Sequence, residues 1–320
     1  MGELASVEQE AQALSETVGV RRRDDLRLLQ IRGDDRQSWL NGQLTNDVRE
    51  LAPERAVYAL VVDVRGKIVA DVWAFQSAMG GASEDGALSL WVPRTQLSDL
   101  LEIFEAQIIM EDVELSEAET GGVLSLQGPL ADKAAAEILA RCPGLERVGC
   151  DELGAGGQWL YGSPDALVAA EQTAAAVIAE LGGCAVSEAG YELSRLRAGV
   201  PRFGVDFDRR HYPQESGLKE RAVSFNKGCY IGQEVICTLE NRGRLSRRLV
   251  RLEGEHRGPF EPAALLDADG ETVGELTSGA WDGRRGRALA LGYVKSRATA
   301  TDTPLSYRDA TLRVVAMVGL

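Results

Sequence analysis

The hydrophobic periodicity of this chain changes once, near residue 241, and the change restricts it to a mixed α+β body followed by a small all-β unit. Upstream, β-rich runs alternate with stretches whose apolar residues recur at helical spacing. "AVYALVVDV" (56–64) and "IVADVWAF" (68–75) are separated by Arg65-Gly66-Lys67, which predicts a hairpin with its glycine at positive φ. Strands joined mainly by hairpins, with helices between them, point to an α+β layer rather than a doubly wound sheet. Downstream, "RRLVRLEG", "AALLDADGETVGELTSG", "RALALGYVKS" and "ATLRVVAMVG" are short strands with almost no helical periodicity. Residues 1–241 are therefore expected to form the body and 242–320 a small β-barrel or sandwich.

Local signals refine the body. "LLQIRGDDRQSWLNGQLTNDV" (28–48) reads as a strand and then a short helix started at Gly33-Asp34, with the aspartate capping it. Pro93 suits the first turn of a helix reaching about Glu105, and strands are expected at Ile108–Leu115 and Val123–Leu126. Leu130, Ala134, Ile138 and Leu139 mark a helix. A further strand and helix, "GQWLYGS" then "PDALVAAEQTAAAVIAELGG", repeat that order, and "SEAGYELSRLRAG" predicts a helix ended by Gly199.

At 320 residues, 44% apolar and 26% charged, the composition is that of a globular protein, and no apolar run approaches the roughly 20 residues of a membrane helix. The opening residues lack the apolar core of a signal peptide, so a cytoplasmic protein is expected. Five scattered cysteines without CxxC spacing fit reduced thiols, and with two histidines no metal site is expected within one chain. A net charge of −14 disfavours a broad nucleic-acid surface. Two basic islands stand out: Arg242, Arg244, Arg247, Arg248 and Arg251, and Arg202, Arg209, Arg210 and His211. They either hold an anion or pair with nearby acids.

"SFNKGCYIGQEV" (224–235) carries the densest chemistry. Lys227 and Cys229 flank Gly228, so both side chains are able to project the same way, the ammonium lowering the thiol pKa. Gly228 and Gly232 allow turns closed to other residues or close approach to a ligand. Tyr230, Gln233 and Glu234 complete the run. Cys229 is left with three readings: it packs, it binds a metal, or it reacts.

"KGCYIGQE" resembles the signature of the YgfZ family, folate-binding proteins related to the aminomethyltransferase, or T-protein, of the glycine cleavage system. "GDDRQSWLNGQLTNDV", "VVDVRGKIVADVWAF", "LSLQGPLA", "LRAGVPRFGVDFD" with "YPQE", "RGRLSRRLVRL" and "VGELTSGAW" to "ALGYVK" are similar to further family segments in family order. The resemblance implies a T-protein-like, tetrahydrofolate-binding body of mixed antiparallel sheets and helices with a C-terminal β-barrel. It also implies support of iron–sulfur cluster assembly or repair, and through it of tRNA modification, with iron–sulfur assembly proteins or client enzymes as partners. Lys227 and Cys229 match the family's functional residues.

Tyr191 occupies the place of an aromatic that stacks on the pterin, Arg195 matches the first arginine of the T-protein pattern, and Arg195, Arg197 and the basic group after Arg202 suit the glutamate tail. Asp71 is the remaining member of the T-protein's paired aspartates, Ala70 standing where the other would be. The lost acid argues against the rival reading, a folate-dependent aminomethyl or methyl transferase. Asn46 and Asp47 line the same cleft or cap a turn.

Overall fold

The computed structural model describes residues 6–49, 51–52, 54–77 and 87–319, and, within the last helix of the body, all but the side chain of Arg242. The body contains two five-stranded sheets. The first has the order Val57–Val62, Ile68–Ser77, Ala87–Pro93, Leu26–Arg32, Glu114–Ala118, every neighbour antiparallel. Alternation along its strands sends Leu29 and Ile31 toward helices Arg36–Gln43 and Arg94–Glu105, and Leu28 toward the other sheet.

The second sheet runs Cys184–Ala185, Gly19–Arg23, Val123–Gln127, Gly157–Gly162, Leu145–Gly149. Helices Ala131–Arg141 and Pro164–Glu180 cover its outer face through Ile138, Leu167, Val177 and their neighbours. The inner faces meet in an aromatic layer in which Phe75 and Trp91 of one sheet pack on Tyr161 and Trp159 of the other, at centroid distances of 5.7 and 6.3 Å respectively. This gives a helix–sheet–sheet–helix sandwich.

The last strands close into a six-stranded barrel that opens with Arg247–Gly254 and is sealed by its pairing with Ala310–Met317. Helix Glu188–Ala198, ended by Gly199 at φ 69°, packs Leu193 and Leu196 on Leu249, Leu289 and Leu291 of the barrel. Asp206 adds a polar latch there. It accepts Arg195 at 2.7 Å from the body, and Thr277 and Ser278, each at 2.6 Å, from the barrel.

Three local expectations change. Asp34 and Asp35 do not cap the helix after them: the Asp35 carboxylate accepts from the Asp112 N–H at 2.9 Å, and the Asp34 N–H donates to Asp112. The strand expected from Ile108 begins only at Glu114, because Ile109 and Met110, 82% and 93% exposed, have no apolar layer beneath them. Residues Val7–Glu16 form an unanticipated helix. Its signature is a capping box in which Ser6 accepts from the Gln9 N–H and the Gln9 side chain accepts from Ser6.

Candidate functional site

A cavity of about 1100 Å³ opens beside the aromatic layer. Its wall includes Tyr58, Trp73, Trp91, Trp159 and Tyr191, with Asp71 and Glu152 among its acids. Glu152, in the loop between the last two strands of the second sheet, is the hub. Its carboxylate accepts from Ser125 Oγ at 2.6 Å, Trp159 Nε1 at 2.8 Å, Tyr191 OH at 2.7 Å and Arg23 at 3.1 Å. Burial pushes its pKa up, but Arg23, Arg21 and these hydrogen bonds pull it below the ordinary carboxylate range, so it is ionised.

Tyr191 thus lies in the cavity wall. Its ring is held by Glu152 at the hydroxyl and by the Arg21 guanidinium, 3.7 Å from the centroid, on one face.

Asp71 also faces the cavity. Tyr58 OH donates to Oδ2 at 3.0 Å and Gln96 Nε2 to Oδ1 at 3.2 Å, and burial raises its pKa. Ala70, next along the strand, points the other way and is buried with Leu29, Val61 and Val72 in the helix-side core. A carboxylate at position 70 would enter that core, so Ala70 takes no group away from the cavity.

Arg195 lines the cavity but its charge is consumed. It is 1% exposed, and its guanidinium is bound by Glu192, Asp206 and the Val200 carbonyl. Arg197 is paired with Asp282 and Glu8, Arg202 with Glu188, Arg209 with Asp99 and Arg210 with Asp208. Arg195 and Arg197 are thus bound within the fold, whereas Arg202, Arg209 and Arg210 make solvent-exposed ion pairs. In the other basic island Arg247 pairs with Glu215 and Arg251 donates to the Arg197 carbonyl, while the Arg242 side chain lies outside the described residues.

Asn46 is absent from the cavity lining. Its Nδ2 donates to the Tyr58 carbonyl at 3.0 Å and the Arg221 carbonyl at 3.3 Å, making it a strut behind the wall.

The run from Lys227 to Glu234 drapes over the end of helix Arg36–Gln43 rather than into the cavity. Lys227, 7% exposed, donates its three N–H groups to the carbonyls of Asn41, Leu44 and Asn46 at 2.6, 2.6 and 2.7 Å. It satisfies backbone acceptors that the helix end leaves free. Burial lowers its pKa to about 8, against the attraction of Asp47. With all three donors taken, none is left for Cys229, whose side chain is exposed, so the expected ammonium–thiolate contact is not made.

Tyr230 is buried with Tyr58, Leu60 and Ile236. Gly228 has ordinary φ and open space where a Cβ would stand, so no close approach requires it. Gly232 is required: φ is 78° and a Cβ would lie 2.4 Å from the Asp63 carbonyl. It starts helix Gln233–Arg242, another element not anticipated, with half-buried Gln233 and exposed Glu234 in the first turn.

Of the residues expected at the site, Asp71, Tyr191, Arg195 and Arg202 line the cavity, and Glu152, Tyr58, Gln96 and Arg221 join them unexpected. No motif announces those four.

Residues 3–144 match the GCVT N-terminal domain, and residues 247–318 match the glycine cleavage T-protein C-terminal barrel domain. Relatives carry both kinds of name. The aminomethyltransferase of Prochlorococcus marinus is 26% identical over 89% of this chain and 81% of its own length. The tRNA-modifying protein YgfZ of Shigella sonnei is 26% identical over 83% and 79%. In three dimensions the glycine cleavage system aminomethyltransferase T from Bartonella henselae superposes with a TM-score of 0.82 over 98% of this chain and 89% of that one, at 19% identity. The chain belongs to the glycine cleavage T-protein superfamily and fits there as a YgfZ-like member.

Proposed function

We propose that this chain is a cytoplasmic tetrahydrofolate-binding accessory protein that supports iron–sulfur cluster assembly or repair and, through it, iron–sulfur-dependent tRNA modification. The observation that carries the folate reading is the cavity itself. It pairs flat aromatic rings with a half-buried, hydrogen-bonded carboxyl and arginines, a chemistry that matches a pterin joined to an acidic tail. Tyr58, Trp73 and Tyr191 offer ring surface, Asp71 offers a hydrogen-bonding carboxyl, and Glu152 fixes the geometry. Folate supplies a carrier for one-carbon units when bound.

The tRNA connection rests on relatives named as tRNA-modifying proteins. The cluster is cargo or client, reached by the exposed Cys229 on a loop outside the cavity. An indirect route through an iron–sulfur enzyme needs no basic surface, in keeping with the net charge of −14. Loss of iron–sulfur enzyme activity under oxidative stress in cells carrying Cys229→Ser supports this role, and unchanged activity sinks it. Titration of the protein with tetrahydrofolate, followed by tryptophan fluorescence and repeated with Tyr191→Ala, tests the pocket.

A second reading, folate-dependent aminomethyl transfer, is favoured by Asp71. Its raised pKa and position on the cavity suit exchange of a proton with a ligand nitrogen. Formation of methylenetetrahydrofolate from an aminomethyl donor, abolished in Asp71→Asn, establishes it; no product from the native chain rejects it.

A further inference from the structure

A second cavity, of about 500 Å³, lies where the body meets the barrel. Its walls come from helix Val7–Glu16, helix Glu188–Ala198, the loop through Ala155 and the barrel hairpin at Arg284 and Arg285. Helix Glu188–Ala198 serves both cavities: Tyr191 and Arg195 line the large one, Ser194 and Arg197 this one. The space is of small-molecule size.

The floor is apolar and fixed. Leu14 and Leu153 are buried against Val186 and Tyr191, and Ala11, Ala155 and Ala198 are too short to fill the space in front of them. The polar lining consists of three arginines and two serines, with no acid among the described residues. Both hydroxyls donate to their own helices, Ser15 to the Gln12 carbonyl at 3.0 Å and Ser194 to the Gly190 carbonyl at 2.9 Å. Recognition of a polar head group therefore falls to the arginines.

The three arginines differ in what they have left to give. Arg197 is held from behind by Asp282 and Glu8. Arg284 pairs with Glu16 at 3.1 Å, but the two side chains are 60% and 49% exposed, and pairs so open to water are weak enough to be exchanged. Arg285 is the least committed. Its Nε stands 3.5 Å from the Asp282 carboxylate, which already forks onto Arg197, and its guanidinium makes no hydrogen bond among the described residues. A guanidinium with donors to spare beside an apolar floor suits a molecule with two ends. An anionic head forks onto the N–H groups, and an apolar body displaces water from the alanines and leucines. A cationic head would face three arginines, and a neutral one would forgo the charge-assisted fork.

We propose that this second cavity binds a small amphipathic anion, a short apolar chain or ring carrying one carboxylate or phosphate, with Arg285 as the head-group residue and Arg284 in support. The occupant touches helices of the body and the hairpin of the barrel together, so it ties the two units to each other. The proposal is independent of the folate reading.

The test is calorimetric titration of the full chain with four eight-carbon probes below their micelle concentrations: octanoate, octyl phosphate, octanol and octylamine. At least one of the two anions is expected to bind about tenfold or more tightly than octanol, and octylamine is expected to bind most weakly. The tighter anion assigns the head group, and its advantage over octanol should shrink at high salt. Arg285→Gln should bring that anion to within about twofold of octanol. Ala155→Trp, at a half-buried loop position between Gly154 and Gly156, fills the cavity and should weaken anion and alcohol alike by about tenfold. Neither residue lines the large cavity, so these losses separate the two sites.

Equal affinity of the native chain for octanol and both anions overturns the proposal, as does binding of neither anion, and these comparisons need no variant to fold. Native anion affinity retained in both variants, with thermal unfolding unchanged, overturns it too, because the anion is then bound elsewhere.

Discussion

Lys227 is a charged side chain used as a staple. Replacing it by methionine strips three carbonyls, those of Asn41, Leu44 and Asn46, of their donor in a largely buried site. Lys227→Met is expected to lower stability by about 2–4 kcal/mol in urea unfolding. Asp71 has the opposite character. Its folded pKa is raised by burial above the unfolded value of about 3.9, so its contribution to stability is present below that pH and is lost as pH rises through the folded pKa. Asp71→Asn should therefore be at least as stable as the native chain at pH 7, with the difference narrowing toward pH 4. A native chain clearly more stable than the variant at pH 7 would contradict this. The sequence identified both residues as important, but their roles were not legible there. Lys227 stands two residues from a cysteine in the chain, yet its ammonium is bonded to carbonyls some 180 residues away.

At the level of elements, the motif is a loop followed by a helix clamped to a hairpin turn. Gly232 makes the clamp, so Gly232→Ala combines a positive-φ penalty with a collision at the Asp63 carbonyl. A loss of about 2–4 kcal/mol is expected; a change below ~0.5 kcal/mol would mean that hairpin and loop separate freely. The same arrangement exposes Cys229 while Cys142 and Cys150 are buried, and burial pushes the Cys150 thiol well up. Brief alkylation of the native protein, read by mass spectrometry, should label Cys229 before those two. The hairpin, the helix after Pro93 and the helix ended by Gly199 were readable because turn chemistry and period are local. The helix Val7–Glu16 was equally readable from Ser6 and Gln9, whereas the failed strand at Ile108 depended on a missing layer that no local signal reports.

Across the whole molecule, body and barrel are joined by a small set of buried polar contacts over an apolar seam. Asp206→Ala leaves Arg195 short of a partner at a site 1% exposed and frees Thr277 and Ser278. A cost of about 3–5 kcal/mol is expected, together with faster proteolysis between body and barrel; protection equal to the native chain's would show that the apolar seam alone suffices. Periodicity and turn residues, which act over a few positions, determined by themselves that this chain forms a mixed body and a terminal all-β unit, and the order of its motifs pointed to its superfamily. Which charges are spent and which remain was decided only by the tertiary structure. Arg195 and Arg221 look alike in the chain, but one is neutralised by Glu192 and Asp206, while the other donates to backbone carbonyls on the cavity wall and has no carboxylate partner among the described residues. The physical reason is that electrostatic pairing depends on distance and burial in space, to which separation along the chain is nearly irrelevant.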